Sequence, residues 1–209
     1  MSALPPVSPL FPLGDVVLFP RVPIPLHIFE PRYRRMVADA LAGPRVVGMV
    51  LLRPGWEADY EGRPPVFESG CAGLIDRWEE LPDGRYNIVL RGLSRFRVRE
   101  EHAGEPYRLA TVEALPDDLG GAEALEAARQ RVVELLARAA EVTTTVVARP
   151  DLSHELFVNA LCQTLDLDPL EKQALLDCDG IVARYGRLAG ILEFRALEQT
   201  FGQGSRRRN

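Results

Sequence analysis

Lysine is nearly missing from this chain: of 25 basic side chains, every one but Lys172 is arginine. A Walker-type phosphate loop needs a lysine directly after a glycine-rich turn, and Lys172 stands between Glu171 and Gln173, so there is no such loop. A Ser–Lys dyad would depend on the same residue, which Asp168-Pro169-Leu170-Glu171 places in the first turns of a helix as an exposed charge. Cysteine is scarce too. Cys71, Cys162 and Cys178 are an odd, widely spaced set without a CxxC pair, which excludes a disulfide framework or a cysteine zinc site and reads as buried thiols in a reducing compartment. His27, His102 and His154 have no i,i+4 partners, so no metal is expected. His154 and Glu155, as neighbours on a helix, point in different directions. There is no GxSxG elbow: Ser94 lies in Gly92-Leu93-Ser94-Arg95-Phe96. With no nucleophile, metal or phosphate-binding parts, a noncatalytic protein without a cofactor is expected. No apolar run approaches the ~20 residues that span a bilayer. Met1–Pro12 carries no positive region before an apolar stretch, so a cytoplasmic protein with no membrane partner is expected. A net charge of −5 disfavours nucleic acid as a general partner.

What is present is enough for a real core: 209 residues, 46% hydrophobic and 26% charged. Residues 1–110 hold 14 basic and 14 acidic side chains. The remainder holds 11 and 16, which accounts for the whole net charge. The texture changes at the same place, from proline, glycine and β-branched residues to alanine, leucine and glutamate. The seam Leu115-Pro116-Asp117-Asp118-Leu119-Gly120-Gly121 reads as a linker. The expectation is an α+β chain with a β-rich barrel over 1–115 that holds one inserted helix, a helical subdomain over 121–201, and a flexible tail over 202–209.

In the first part, Val16–Phe19, Arg45–Leu52, Gly70–Trp78, Tyr86–Leu90, Arg95–Arg99 and Arg108–Ala114 read as strands. Leu81-Pro82-Asp83-Gly84 between two of them predicts a hairpin. The prolines of Pro23–Phe29 restrict any strand there to a sheet edge. Pro31 suits a first helical position, Tyr33, Met36, Val37, Ala40 and Leu41 form an apolar stripe, and Gly43-Pro44 ends it. In the second part, Leu125, Ala128, Val132, Leu135, Leu136 and Ala139 recur at helical spacing. Ser153 caps a helix, Asp168-Pro169-Leu170-Glu171 opens another, and Ile181, Tyr185, Leu188 and Leu192 mark a last long one that ends near Gly202.

Two surfaces are candidates for binding. Leu52–Ser69 lacks periodicity, and such long segments are often functional. Trp56 and Tyr60 could anchor a partner or fold back, while Phe67 is expected to fold back. Arg95-Phe96-Arg97-Val98-Arg99 alternates, which predicts Phe96 and Val98 inward and an arginine stripe of Arg95, Arg97 and Arg99 outward. That stripe offers an RNA-contact alternative, against a solvated face balanced by Glu100, Glu101 and Glu105.

Pro9-Leu10-Phe11-Pro12-Leu13, Val16–Pro20 and especially Ile24-Pro25-Leu26-His27-Ile28-Phe29-Glu30-Pro31-Arg32-Tyr33 resemble the opening of the Lon protease N-terminal (substrate-binding) domain. Arg45–Leu51, Cys71–Asp76, Leu81–Arg85, Arg91–Val98 and Pro169–Leu176 resemble its later segments. The resemblance implies a PUA-like β pseudo-barrel followed by a C-terminal α-helical bundle. It also implies a stand-alone member of the family, because 209 residues hold neither the ATPase nor the Ser–Lys peptidase module of a full Lon. The implied partners are unfolded or tagged polypeptides or another protein, with a homo-oligomer as a route to avidity. Phe29, Glu30, Arg32 and Tyr33 match the family signature as binding residues. The competing reading makes Phe29 and Tyr33 core and Glu30–Arg32 a structural ion pair.

Overall fold

A computed structural model describes residues 4–60, 62–104, 106–138 and 151–206, with side chains as far as residue 198. The chain divides into two compact units, Met1–Pro116 with Leu167–Leu176, and Asp117–Asp166 with Asp177–Asn209.

The first unit is built on six strands, β1 (Val7–Leu13), β2 (Pro23–Ile28), β3 (Val46–Leu52), β4 (Val66–Glu80), β5 (Tyr86–His102) and β6 (Arg108–Leu115). Their order is β2-β5-β4-β3-β1-β6, and a further β5–β6 pairing closes five of them into a barrel. Closure depends on the length of β5. Its first half, Tyr86–Arg91, pairs with β2, and its second half, Arg95–His102, pairs with β6, while β4 runs along its other side. Tyr86–Leu90 and Arg95–Arg99, which read as separate strands in the sequence, are thus one element. Register shifts at Ala72/Gly73, Ile75/Arg77 and Val98/Glu100 bend the long strands enough to close. Leu10, Val46, Val50, Ala72, Phe96, Ala110 and Val112 fill the interior. Phe96 is fully buried because the strands opposite it carry glycine: a Cβ on Gly48 would lie 2.9 Å from the Phe96 ring, and one on Gly70 2.8 Å from it.

Three expectations need correction here. Val16–Phe19 is no strand; Val17–Pro20 is a buried irregular segment that leads into Arg21 and Val22, whose backbone bonds Gly92 on β5. The first strand is instead Val7–Leu13, which the prolines at 9 and 12 disguised. Its first half pairs with β6 only as far as Leu10, and β3 pairs from Leu10 onward, so each proline has one unpaired side where an N–H is not needed. The irregular stretch after β3 is also shorter than its sequence suggests, since β4 already begins at Val66.

The helix α1 (Pro31–Leu41) buries Tyr33, Met36, Val37 and Ala40, the stripe its spacing predicts. The Leu81–Gly84 turn joins β4 to β5 with Gly84 at φ +77°, a conformation that suits glycine. Helix α4 (Pro169–Leu176) completes the first unit. Asp168 accepts from the Leu170 N–H at 2.8 Å while Glu171 accepts from the Asp168 N–H at 2.9 Å, so the capping box operates with aspartate in place of serine or threonine. Arg95 donates to the Leu176 carbonyl at 3.0 Å, and Gln173 donates to the Ser69 carbonyl at 3.1 Å.

The second unit contains α2 (Ala122–Arg138), α3 (His154–Thr164) and α5 (Ile181–Arg206). The Ser153 hydroxyl accepts from the Leu156 N–H and caps α3. Leu125, Val132, Leu136, Phe157, Leu161, Tyr185 and Leu188 are buried in this unit, with the Phe157 and Tyr185 rings stacked 6.4 Å apart. Arg184 is fully buried and holds Asp117 at 2.9 Å and Asn159 at 2.7 Å. Helix α5 continues past Gly202 to Arg206, so the backbone of much of the expected tail is helical. Ala139 and residues 207–209 lie outside the described residues. None of the described helices is long and apolar enough to cross a membrane.

Candidate functional site

Glu30 ends the β2–α1 connection, and Pro31 starts the helix, which turns Arg32 and Tyr33 toward the barrel's rim. Tyr33 packs on Phe11 with ring centroids 4.6 Å apart. The Arg32 guanidinium lies between two aromatic faces, 4.7 Å from the Tyr33 ring and 4.9 Å from the Tyr60 ring, and pairs with Glu30 at 3.0 Å. The Tyr60 hydroxyl donates to the other Glu30 oxygen. Trp56 sits 5.4 Å from Tyr60, in space left by Gly14, where a Cβ would run into the indole. Five of the six expected binding residues (Glu30, Arg32, Tyr33, Trp56 and Tyr60) therefore form one half-buried cluster that fastens the turn at Trp56–Tyr60 to the start of α1. Burial works against the Arg32 charge, but Tyr33, Tyr60 and Glu30 outweigh it and raise its pKa. Burial also pushes the Tyr33 phenol well above its ordinary range.

Beside this cluster is a cleft of about 320 Å³ that contains two further arginines, Arg63 from the Leu52–Ser69 stretch and Arg108 from β6. Arg63 donates to the carbonyls of His102 at 3.0 Å and Gly104 at 2.6 Å. Arg108 is 8% exposed, donates to the Pro64 carbonyl at 2.8 Å, and lies 3.6 Å from Glu101. Burial lowers the Arg108 pKa, Glu101 opposes this, and the like charges of Arg63 and Arg32 add to the lowering. With Arg32, three guanidinium groups line the cleft, and none of its described lining residues is acidic. Farther out, the Tyr107 hydroxyl donates to Asp39 at 2.9 Å.

Phe29 stands apart from the cluster. It is 60% exposed and stacks on His27 at 6.2 Å. His27 lines an open groove across β2, β5 and β4, together with Pro25, Leu26, Trp78, Ile88 and Val89. On its floor Arg85 donates to His27 Nε2 at 3.1 Å, His27 Nδ1 bonds Asn87 at 2.8 Å, and Asn87 donates to Glu79 at 3.2 Å. Trp78, 43% exposed with Arg45 over its ring at 4.5 Å, pairs with Ile88 in the ladder, so alternation turns its ring to the opposite face of the sheet from His27. Its position in a strand pattern had marked it only as a strand residue. The core reading of Phe29 is overturned by its exposure, whereas Tyr33 is buried as that reading has it.

The arginine stripe does not exist as expected. Arg97 and Arg99 are exposed, and Arg99 pairs with Glu113, but Arg95 is 3% exposed and donates to carbonyls of the segments 116 and 176. Alternation places Arg95 on the outside of the barrel correctly; α4 then covers that patch.

Over this fold, a family model for the ATP-dependent protease La (LON) substrate-binding domain matches residues 7–193. The chain belongs to the LON substrate-binding domain family. It is 27% identical over 188 residues to a Lon protease of Flavobacterium johnsoniae, a match covering 86% of this chain and 23% of that protein. A Lon protease of Roseiflexus castenholzii is 28% identical over 210 residues, covering 96% of this chain and 25% of its own. The chain thus spans about a quarter of the length of such relatives. Two solved structures share the LON-domain fold. One is a Lon N-terminal domain protein from Xanthomonas campestris, with a TM-score of 0.63, 24% identity and coverage of 88% of this chain and 97% of that one. The other is the N-terminal domain of Mycobacterium avium complex Lon protease, with a TM-score of 0.65, 17% identity and coverage of 90% and 98%.

Proposed function

We propose that this LON substrate-binding domain is a noncatalytic polypeptide-binding module that takes extended, unfolded segments and recruits them as an adaptor. The observation that carries the reading is the open groove over β2, β5 and β4, with the exposed ring of Phe29 stacked on its lining residue His27. Large aromatic groups provide contact area at low entropic cost, and one such contact is weak alone and effective in several linked copies. The manner of contact follows from the prolines. Among the described residues strand β2 pairs with β5 alone, and Pro23 and Pro25 can direct no N–H to the ladder, so they fall on the residues that face the free edge. That edge is poor in donors and unsuited to strand addition, so client segments bind through side chains across the face.

The test is binding of a labelled, reduced casein followed by fluorescence anisotropy. Phe29→Asp changes an exposed side chain, so the melting temperature should hold while casein affinity drops at least several-fold. Unaltered casein binding by this variant would move the site elsewhere. RNA retention that falls steeply with salt, without any casein binding, would overturn the reading in favour of a nucleic-acid role.

A further inference from the structure

We propose that the cleft beside the start of α1 binds a carboxylate of the captured polypeptide, an acidic side chain or the chain terminus, through Arg63 and Arg108 with Arg32 in its wall. This rests on the polypeptide-binding reading above and adds a second, polar subsite to the apolar groove.

Charge points to an anion: the chain as a whole carries −5, yet three arginines converge on one cleft of about 320 Å³. Arg32 is matched by Glu30 at 3.0 Å. Arg108 is nearly buried, where a guanidinium is costly unless an anion compensates it, and among the described residues it is paired with Glu101 at 3.6 Å. The described contacts of Arg63 are to two carbonyls, which take up two of the five donors a guanidinium carries. An incoming anion would relieve the mutual repulsion of these groups.

The planar fork of an arginine side chain pairs bidentately with a carboxylate or a phosphate, and of the two an unmodified polypeptide carries the carboxylate, on its acidic side chains and at its C-terminus. The proline and tyrosine walls suit the aliphatic stem of a glutamate or the last residue of a chain.

Four fluorescent peptides of one apolar sequence test this by anisotropy. They carry a central Glu or Gln, each with a free or an amidated C-terminus. Wild type should bind a carboxylate-bearing peptide on the order of tenfold more tightly than the doubly neutral one. Whether the central Glu or the free terminus brings the gain identifies the source of the carboxylate. Arg63→Gln, at an exposed position, should erase the gain and leave affinity for the neutral peptide unchanged; a residue that merely holds the loop would affect all four alike. Arg63→Lys, which keeps the charge without the fork, should retain part of the gain. Arg108→Met, checked for folding by its melting curve, should behave like Arg63→Gln. Equal binding of all four peptides by wild type, or a gain that survives in Arg63→Gln, would overturn the carboxylate site while leaving polypeptide binding standing. Binding of none of the four would overturn both.

Discussion

Asp117 and Arg184 show how much one residue can carry. The Arg184 side chain is completely enclosed and that of Asp117 is 9% exposed, so water screens the pair little, and Arg184 also donates to Asn159. Asp117→Ala leaves a guanidinium buried without its carboxylate, and we expect it to cost about 3–5 kcal/mol in a denaturant titration. Replacing both partners with apolar residues, Asp117→Leu with Arg184→Met, should cost clearly less than the single change, because no charge is then stranded. A single change no worse than the double would mean the pair is not coupled. At this scale the sequence was informative about residue types and weak on partners. It marked Glu30, Arg32, Tyr33, Trp56 and Tyr60 but placed them in separate segments. Their convergence depends on Gly14 making room for an indole about forty residues away in the chain, which no local pattern reveals.

The elements differ in how visible they were. Helices α1 and α4 and the Leu81–Gly84 hairpin could be read because their signals are local: a proline at the first turn, reciprocal caps and an Asp-Gly turn. Strand β1 was hidden because proline argues against a strand until it is known which side of each proline is unpaired. The stripe on β5 failed for a related reason. Alternation determines the face of a strand, and what later covers that face is decided by α4, which lies some seventy residues farther along the chain. The contrast can be measured. Arg95→Ala removes buried bonds to the Leu176 and Pro116 carbonyls and should cost about 1–3 kcal/mol. Arg97→Ala, two residues away and exposed, should stay within about 0.5 kcal/mol. Equal effects in parallel denaturant titrations would restore the outward stripe.

At the scale of the whole molecule, all five tyrosines have their phenol pKa raised, burial being the largest cause at each. The folded state thus favours the neutral phenol. This contribution to stability is fully present below the ordinary tyrosine pKa of about 10 and is lost as pH rises through the higher folded values. Ultraviolet titration should therefore show tyrosinate appearing later than in the denatured chain. The most buried rings, Tyr33 and Tyr185, should ionise only together with the loss of the circular dichroism signal. Free titration of all five near pH 10 in a folded protein would contradict this burial. Composition and local pattern by themselves determined the β-rich first part, the helical second part, the LON resemblance and the edge position of Pro23–Ile28, because hydrophobic period, caps and proline chemistry act over a few residues. Only the tertiary structure decided that β5 closes a barrel by pairing with both β2 and β6, that Arg95 is covered, that Phe29 faces outward, and that Arg32, Arg63 and Arg108 share one cleft. These are contacts between distant segments, set by strand register and by which surfaces are left uncovered once the core has closed.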